Sequence, residues 1–161
     1  MSSGRRALVE ASIQERYAPQ SRCFGCGPAN PKGLQIRSFQ KGDELVATWR
    51  PQDHHEAFPG MMNGGIVGAL LDCHANWTAA CALMEARGAD CPPCTVTAEF
   101  RVKLKRPTPM TGELQLRARV VEISDPKVVV EGELWSGEKV TATVWGLFVA
   151  VTEGHPAFHQ W

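Results

Sequence analysis

The sequence predicts a single-domain α+β fold, one long buried helix covered by an antiparallel sheet. Two observations carry this expectation. The first is the stretch from Phe58 to Arg87, FPGMMNGGIVGALLDCHANWTAACALMEAR, which opens on Pro and paired glycines and then runs apolar for more than twenty residues. The second is its flanks: two alternating segments before it and four after it, each bounded by turn residues. Such a series of strands with one helix to cover it is an α+β domain. With 161 residues and 43% apolar composition, the chain is long enough for one domain with a real core.

Residues 1–21 form a polar arm in which Leu8, Val9 and Ile13 make either a short helical turn or a frayed end. Asn30-Pro31-Lys32-Gly33 is turn chemistry. Leu34–Phe39 and Glu44–Arg50 then read as a hairpin around Lys41-Gly42-Asp43, stopped by Pro51. A loop from Gln52 to Met62 carries His54 and His55. Adjacent histidines point in different directions, so the two make a poor metal pair and are expected near a pocket mouth.

The helix has a signal at each end. Asn63 is a natural N-cap, and Gly88 stands where a left-handed residue ends a helix. At helical spacing Gly65, Gly68, Ala69, Asp72, Ala75, Asn76 and Ala79 share a small-residue side, which admits close approach by a helix or a ligand. Ile66, Leu70, Cys73, Trp77, Cys81 and Met84 form a bulkier side, expected to pack on the sheet.

Thr95–Lys105 alternates, with Val96, Ala98, Phe100, Val102 and Leu104 on one face and Thr95, Thr97, Glu99, Arg101, Lys103 and Lys105 on the other. Pro107 and Pro109 stop it. Glu113–Val121, a turn at Asp125-Pro126, Val128–Trp135, a tight connection at Ser136-Gly137 and Lys139–Val151 complete four strands in meander style. The tail, Thr152–Trp161, either covers a partner subunit or is loose.

A formal net charge of zero gives no general field for nucleic acid or membrane. The apolar run at 64–84 carries Asp72, His74 and Asn76, which marks a core helix rather than a membrane span, and no signal-peptide pattern opens the chain. A cytoplasmic location is expected. Of six cysteines, four form the pairs Cys23–Cys26 and Cys91–Cys94. Two such pairs make a zinc site only if the fold brings them together, and the 64 residues between them are unlike a zinc ribbon. Reduced thiols are the expectation, with Cys73 and Cys81 in the core and no metal.

Asp72 is the informative residue. A carboxylate in an apolar helix costs several kcal/mol or has its pKa pushed upward. It is either paired structurally or serves as a general base or nucleophile facing a pocket.

Asn63-Gly64-Gly65, six residues and then Asp72 resembles the His-Gly-Gly motif and helix acid of the PaaI-like acyl-CoA thioesterases of the hotdog fold. The FPG turn before it, CFGCGPANPKGLQI at 23–36 and TVTAEFRVKLKRPTP at 95–109 resemble the same family in the same order. The resemblance covers 22–151 and implies a hotdog domain there, a long central helix wrapped by a curved antiparallel sheet, between the arm at 1–21 and the tail at 152–161.

It also implies hydrolysis of an acyl-CoA thioester. The Gly65 N–H would polarise the carbonyl, and Asp72 would activate water or attack the acyl carbon itself. Thr97 falls at a hydroxyl position that some members use to hold the water or the acid. Gly64, His55, Phe58, Pro59 and Asn76 are the expected substrate contacts. Arg101, Lys103, Lys105 and Arg106 form a basic strip that either meets CoA phosphates or is a solvated strand face. No cofactor is implied beyond the CoA ester as substrate. The implied assembly is a homodimer or a dimer of dimers with active sites between subunits.

One residue departs from the family: its His is Asn63 here. The amide donates a hydrogen bond but cannot titrate near pH 7, so Asn63 serves as cap, substrate contact or both. The departure leaves open a non-catalytic acyl-CoA or aromatic-ligand binding protein, and it argues against a hydratase, which would pair a His with an acid.

Overall fold

The long helix forms where its caps place it. The structure is a computed structural model that describes residues 10–158. In it α1 (Ile13–Tyr17) precedes β1 (Ser38–Lys41) and β2 (Glu44–Trp49). A single 3-10 turn at Asp53–His55 leads to β3 (Glu56–Phe58) and β4 (Met61–Met62). Then come α2 (Gly64–Ala86), β5 (Thr95–Leu104), β6 (Leu114–Ser124), β7 (Lys127–Ser136) and β8 (Lys139–Ala150). The Asn63 side-chain oxygen accepts from the Ile66 N–H at 3.2 Å, capping α2. Gly88 follows its end at φ +58°, a conformation glycine adopts without strain.

Six strands make one antiparallel sheet in the order β1-β2-β6-β7-β8-β5. The sequence led to four successive strands in a meander, and β6, β7 and β8 do follow one. Strand β5 does not lie beside β6; it joins the far edge next to β8. At 1.5 Å per residue α2 is about 34 Å long, so it carries the chain across the sheet from β2 to the opposite edge.

Two further differences are local. The segment 52–62, expected to be a loop, folds into a 3-10 turn and the β3–β4 hairpin, turning at Pro59 and Gly60 with Gly60 at φ +80°. That hairpin is tied to the segment after β5 by the Met62 N–H on the Thr108 carbonyl, 2.8 Å, and the Met110 N–H on the Gly60 carbonyl, 2.9 Å. In β5 the register with β8 slips between Thr97 and Glu99, so Ala98 is an extra residue. The bulge reverses the alternation. Thr95 and Thr97 therefore face α2 together with Phe100, Val102 and Leu104, while Glu99, Arg101 and Lys103 face outward.

The bulky side of α2 does not rest on the sheet alone. The Trp77 indole N–H donates to the Cys26 sulfur at 3.2 Å, so the segment before β1 covers part of that side. Leu34 and Ile36 of this segment are core residues, and the Trp49 indole N–H fixes it by donating to the Leu34 carbonyl at 2.8 Å. Of the three apolar arm residues, Ile13 opens α1 and packs against the core; Leu8 and Val9 lie outside the described residues. Ser12 and Glu15 form a capping box that starts α1.

The arm is locked by a chain of buried polar groups. The Gln14 amide donates to Ser38 Oγ at 2.9 Å, and Ser38 Oγ lies 2.8 Å from His74 Nδ1. His74 Nε2 lies 2.9 Å from the Leu45 carbonyl. The carbonyl can only accept, so Nε2 carries the proton and Nδ1 accepts from Ser38. Burial holds the His74 pKa down at about 4, which keeps the ring neutral and every member of the chain satisfied.

His74→Ala removes two buried hydrogen bonds and opens a cavity between α2 and the β1–β2 hairpin. It is expected to lower stability by about 3 kcal/mol, read from urea unfolding. A loss below about 1 kcal/mol would show that the chain does not hold the arm.

Candidate active site

One side of α2 is left half-open by the sheet. Gly65 is exposed, and Gly68, Ala69, Asp72 and Asn76 are partly so, whereas Ala75 and Ala79 of the same small side are buried. Nothing lies within 4 Å of where a Cβ on Gly68 would stand, so this side of the helix is open to approach.

Asp72 sits on this face beside β5, and the Thr97 hydroxyl donates to Asp72 Oδ1 at 2.7 Å. The bulge at Ala98 makes this contact possible. Burial raises the carboxyl pKa, the Thr97 hydrogen bond opposes the shift, and the nearby Cys23 sulfur adds to it. Among the described residues no cation pairs with Asp72. It is held by a hydroxyl and kept partly from water, a setting that suits a base better than a structural ion pair. One turn on, Asn76 Nδ2 donates to the Thr95 carbonyl at 3.2 Å, so its amide serves to tie α2 to β5.

At the other end of the face is the helix N-terminus. The N–H groups of Gly64 and Gly65 precede the first intrahelical bond and point outward with the positive end of the helix dipole. Asn63 is exposed. Its oxygen is committed to the cap and its backbone N–H to the His55 carbonyl at 2.9 Å, which leaves its amide N–H groups for a ligand. Gly65 and Asp72 stand on the same side, seven residues and about 10 Å apart along the axis.

An apolar rim borders this face. Phe100 is 43% exposed, Leu104 58% and Phe58 74%, and β5 is an edge strand. Exposed apolar side chains on an open sheet edge mark an interaction surface. Leu104 also reaches the helix start, with Cδ1 about where a Cβ on Gly64 would touch it, at 3.1 Å.

The other residues singled out in the sequence are dispersed. Pro59 is exposed with Phe58 at the β3–β4 turn. His55 is only 6% exposed, its Nδ1 accepts from the Gln52 N–H at 3.0 Å, and its ring centroid lies 5.0 Å from that of Trp49. It supports the N-cap through its backbone rather than opening to a ligand. The basic strip is split where β5 ends at Leu104. Arg101 stacks over Trp145 at 4.3 Å, and both line a groove on the outer sheet face with Lys103 and Arg117, away from Asp72. Arg106 lies instead between Leu104, beside Gly64, and Thr108, bonded to Met62, and so belongs to the end that carries the helix N-terminus. Cys23, close enough to influence Asp72, was read in the sequence as one of a pair of reduced thiols and not as a neighbour of the acid; only the family-like opening segment carrying it gave a signal.

A family model described as the thioesterase superfamily matches residues 59–143. Among solved structures, a thioesterase superfamily protein from Shewanella loihica PV-4 is 30% identical, with 78% of this chain and 98% of that one covered at a TM-score of 0.63. The PaaI protein from the phenylacetic acid degradation operon of E. coli is 17% identical, covering 77% and 85% at a TM-score of 0.65. A phenylacetic acid degradation-related protein from Ralstonia eutropha JMP134 is 22% identical, covering 78% and 92% at 0.63. These last two likenesses show the fold. Among curated proteins none matches the chain.

A half-buried carboxylate without a cation is a load on the fold. Asp72→Asn is therefore expected to leave the thermal midpoint unchanged or to raise it. A structural acid would behave oppositely, with a loss of about 1–3 kcal/mol.

Proposed function

The chain belongs to the thioesterase superfamily, and we propose that it hydrolyses an acyl-CoA thioester to the free acid and CoA at a site shared by two copies of the chain. Thioester hydrolysis is the general chemistry of the family. The observation that carries the finer reading is the Asp72–Thr97 pair on an open, small-residue helix face. An oxyanion donor and a general base must each come within about 3 Å of the groups they serve at one carbonyl. Gly65 and Asp72 of one chain are too far apart for that, at about 10 Å. Two chains facing each other across Gly68 and Ala69 would bring Asp72 of one to Gly65 of the other. The apolar edge at Phe100 and Leu104 supports such a contact.

In this arrangement the Gly65 N–H and the helix dipole draw electron density onto the carbonyl oxygen. Asp72, oriented by Thr97, takes a proton from water as its oxygen attacks the acyl carbon. The tetrahedral intermediate collapses with loss of the CoA thiolate, and the proton on Asp72 is returned as the thiol departs. Direct attack by the carboxylate gives an anhydride instead, which water then opens. The Asn63 amide adds a hydrogen-bond donor where the family has a titrating His. Arg106, at this end, would meet a CoA phosphate; Arg101 and Lys103 face the other side of the sheet.

The test is thiol release from a panel of short, long and aromatic acyl-CoAs. Two similar structures are named for phenylacetic acid degradation, which makes the aromatic esters worth including. Turnover on at least one ester is expected, falling roughly a hundredfold or more in Asp72→Asn with folding intact. Tight binding of CoA esters without turnover would instead identify a binding protein, with Asn63 as the reason.

A further inference from the structure

Three cysteines that the sequence scatters over 51 positions converge beside α2. The Sγ atoms of Cys23, Cys26 and Cys73 all lie within 4.8 Å of one another, and Cys23 and Cys73 are 3.7 Å apart. Four sulfurs around a zinc ion at about 2.3 Å stand about 3.8 Å from each other, so this separation already matches one edge of a metal-thiolate tetrahedron. The second pair, Cys91–Cys94, is not part of the cluster.

The loop that brings the sulfurs together is built for close approach. A Cβ on Gly25 would overlap the Cys73 sulfur, and one on Gly27 would overlap the Cys23 backbone N and stand 2.5 Å from the Ser21 carbonyl oxygen. The Gly27 N–H closes the turn on the Cys23 carbonyl at 2.9 Å. Inside the turn the backbone N–H groups of Gly25 and Cys26 point to the Cys23 sulfur and favour its thiolate, as do the neighbouring thiols. The Trp77 indole N–H also donates to the Cys26 sulfur at 3.2 Å. The neighbouring Cys23 thiolate and burial nevertheless push the Cys26 thiol up to about 12, and the Cys73 thiol upward as well, so that Cys23 is the one sulfur of the three held as a thiolate before a metal arrives. A Cys-x-x-Cys turn whose own amides point at its first sulfur is how a chain prepares thiolates for a metal. Packing alone gives no reason for three thiols to meet with donors aimed at two of them.

We propose that Cys23, Cys26 and Cys73 bind a thiophilic d10 metal ion that clips the segment before β1 onto α2. All-sulfur donors select Zn(II) or Cu(I) over harder cations. Cys23 is exposed, so the fourth position faces solvent: Zn(II) would take a water there, and Cu(I) would be held by the three sulfurs alone. The sequence pointed to reduced thiols with Cys73 in the core. What it missed is that the partner of the first pair is the helix cysteine, not the second pair. The proposal does not require the catalytic reading, although Cys73 adjoins Asp72 in the chain and Cys23 lies close to it.

Full-length protein purified without chelator would be assayed for metal by mass spectrometry, then reloaded with Zn(II), Cu(I) or Co(II) under a non-thiol reductant. About one Zn or Cu ion per chain is expected, with thiolate-to-cobalt charge transfer in the Co(II) form. Cys23→Ser and Cys73→Ser should each cut the content at least about tenfold, while the Cys91→Ser/Cys94→Ser double variant keeps it. Stripping the metal should lower the melting temperature of the wild type and leave that of Cys23→Ser where it is. Wild type that neither carries nor takes up any of these ions overturns the proposal. So does metal retained in a folded Cys73→Ser variant.

Discussion

Without the extra residue at Ala98, Thr97 would face away from α2. The helix-side residues of the second half of β5 are Phe100, Val102 and Leu104, and strict alternation from them reaches Ala98 and Val96, not Thr97. One inserted residue turns Thr95 and Thr97 inward just where α2 presents Asn76 and Asp72, so that Asp72 meets a hydroxyl in place of a methyl group. The same insertion puts Thr97 on the face opposite Arg101 and Lys103, which lie outside, where Arg101 stacks on Trp145. The hydroxyl partner of Asp72 and its separation from Arg101 and Lys103 both follow from one irregularity in an edge strand.

The rest of the fold keeps that meeting in place. The neutral His74, bonded to Ser38 and Leu45, fixes the rotation of α2 against β1 and β2. The Asn63 cap and the β3–β4 hairpin fix its start. The Arg87 guanidinium grips Asp125 with two hydrogen bonds of 2.8 and 2.6 Å, which ties its end to the β6–β7 turn. Asp72 therefore sits at the middle of a helix anchored at both ends and along its buried side, and its open side is the one made of small residues.

Much of this was legible in the sequence because it depends on local chemistry. Asn63 and Gly88 mark the ends of α2, the turn residues mark the strand limits, and the motif spacing singles out Asp72 and Gly65 as candidates. The bulge was hidden, since Thr95–Lys105 alternates without a break on paper and only pairing with β8 reveals the slip. The place of β5 at the far edge was hidden too; it depends on how far α2 carries the chain. His74 read as one polar residue on a core helix because its partners, Ser38 and Leu45, are distant in sequence. Cys73 read as core for the same reason. Long-range partners set the roles of these residues, and no local pattern reports them.

The central claim is that one thioester is served by Asp72 of one chain and Gly65 of another. Subunit complementation tests it most directly. Asp72→Asn removes the base, and Gly65→Pro removes the backbone donor at a first-turn position where proline is tolerated. Each variant alone should be inactive. Unfolded and refolded together, they should recover about a quarter of wild-type activity, because half of the dimers are mixed and each mixed dimer holds one intact site. If the mixture stays as inactive as its parts while mixed dimers form, both groups act within one chain and the shared site is wrong.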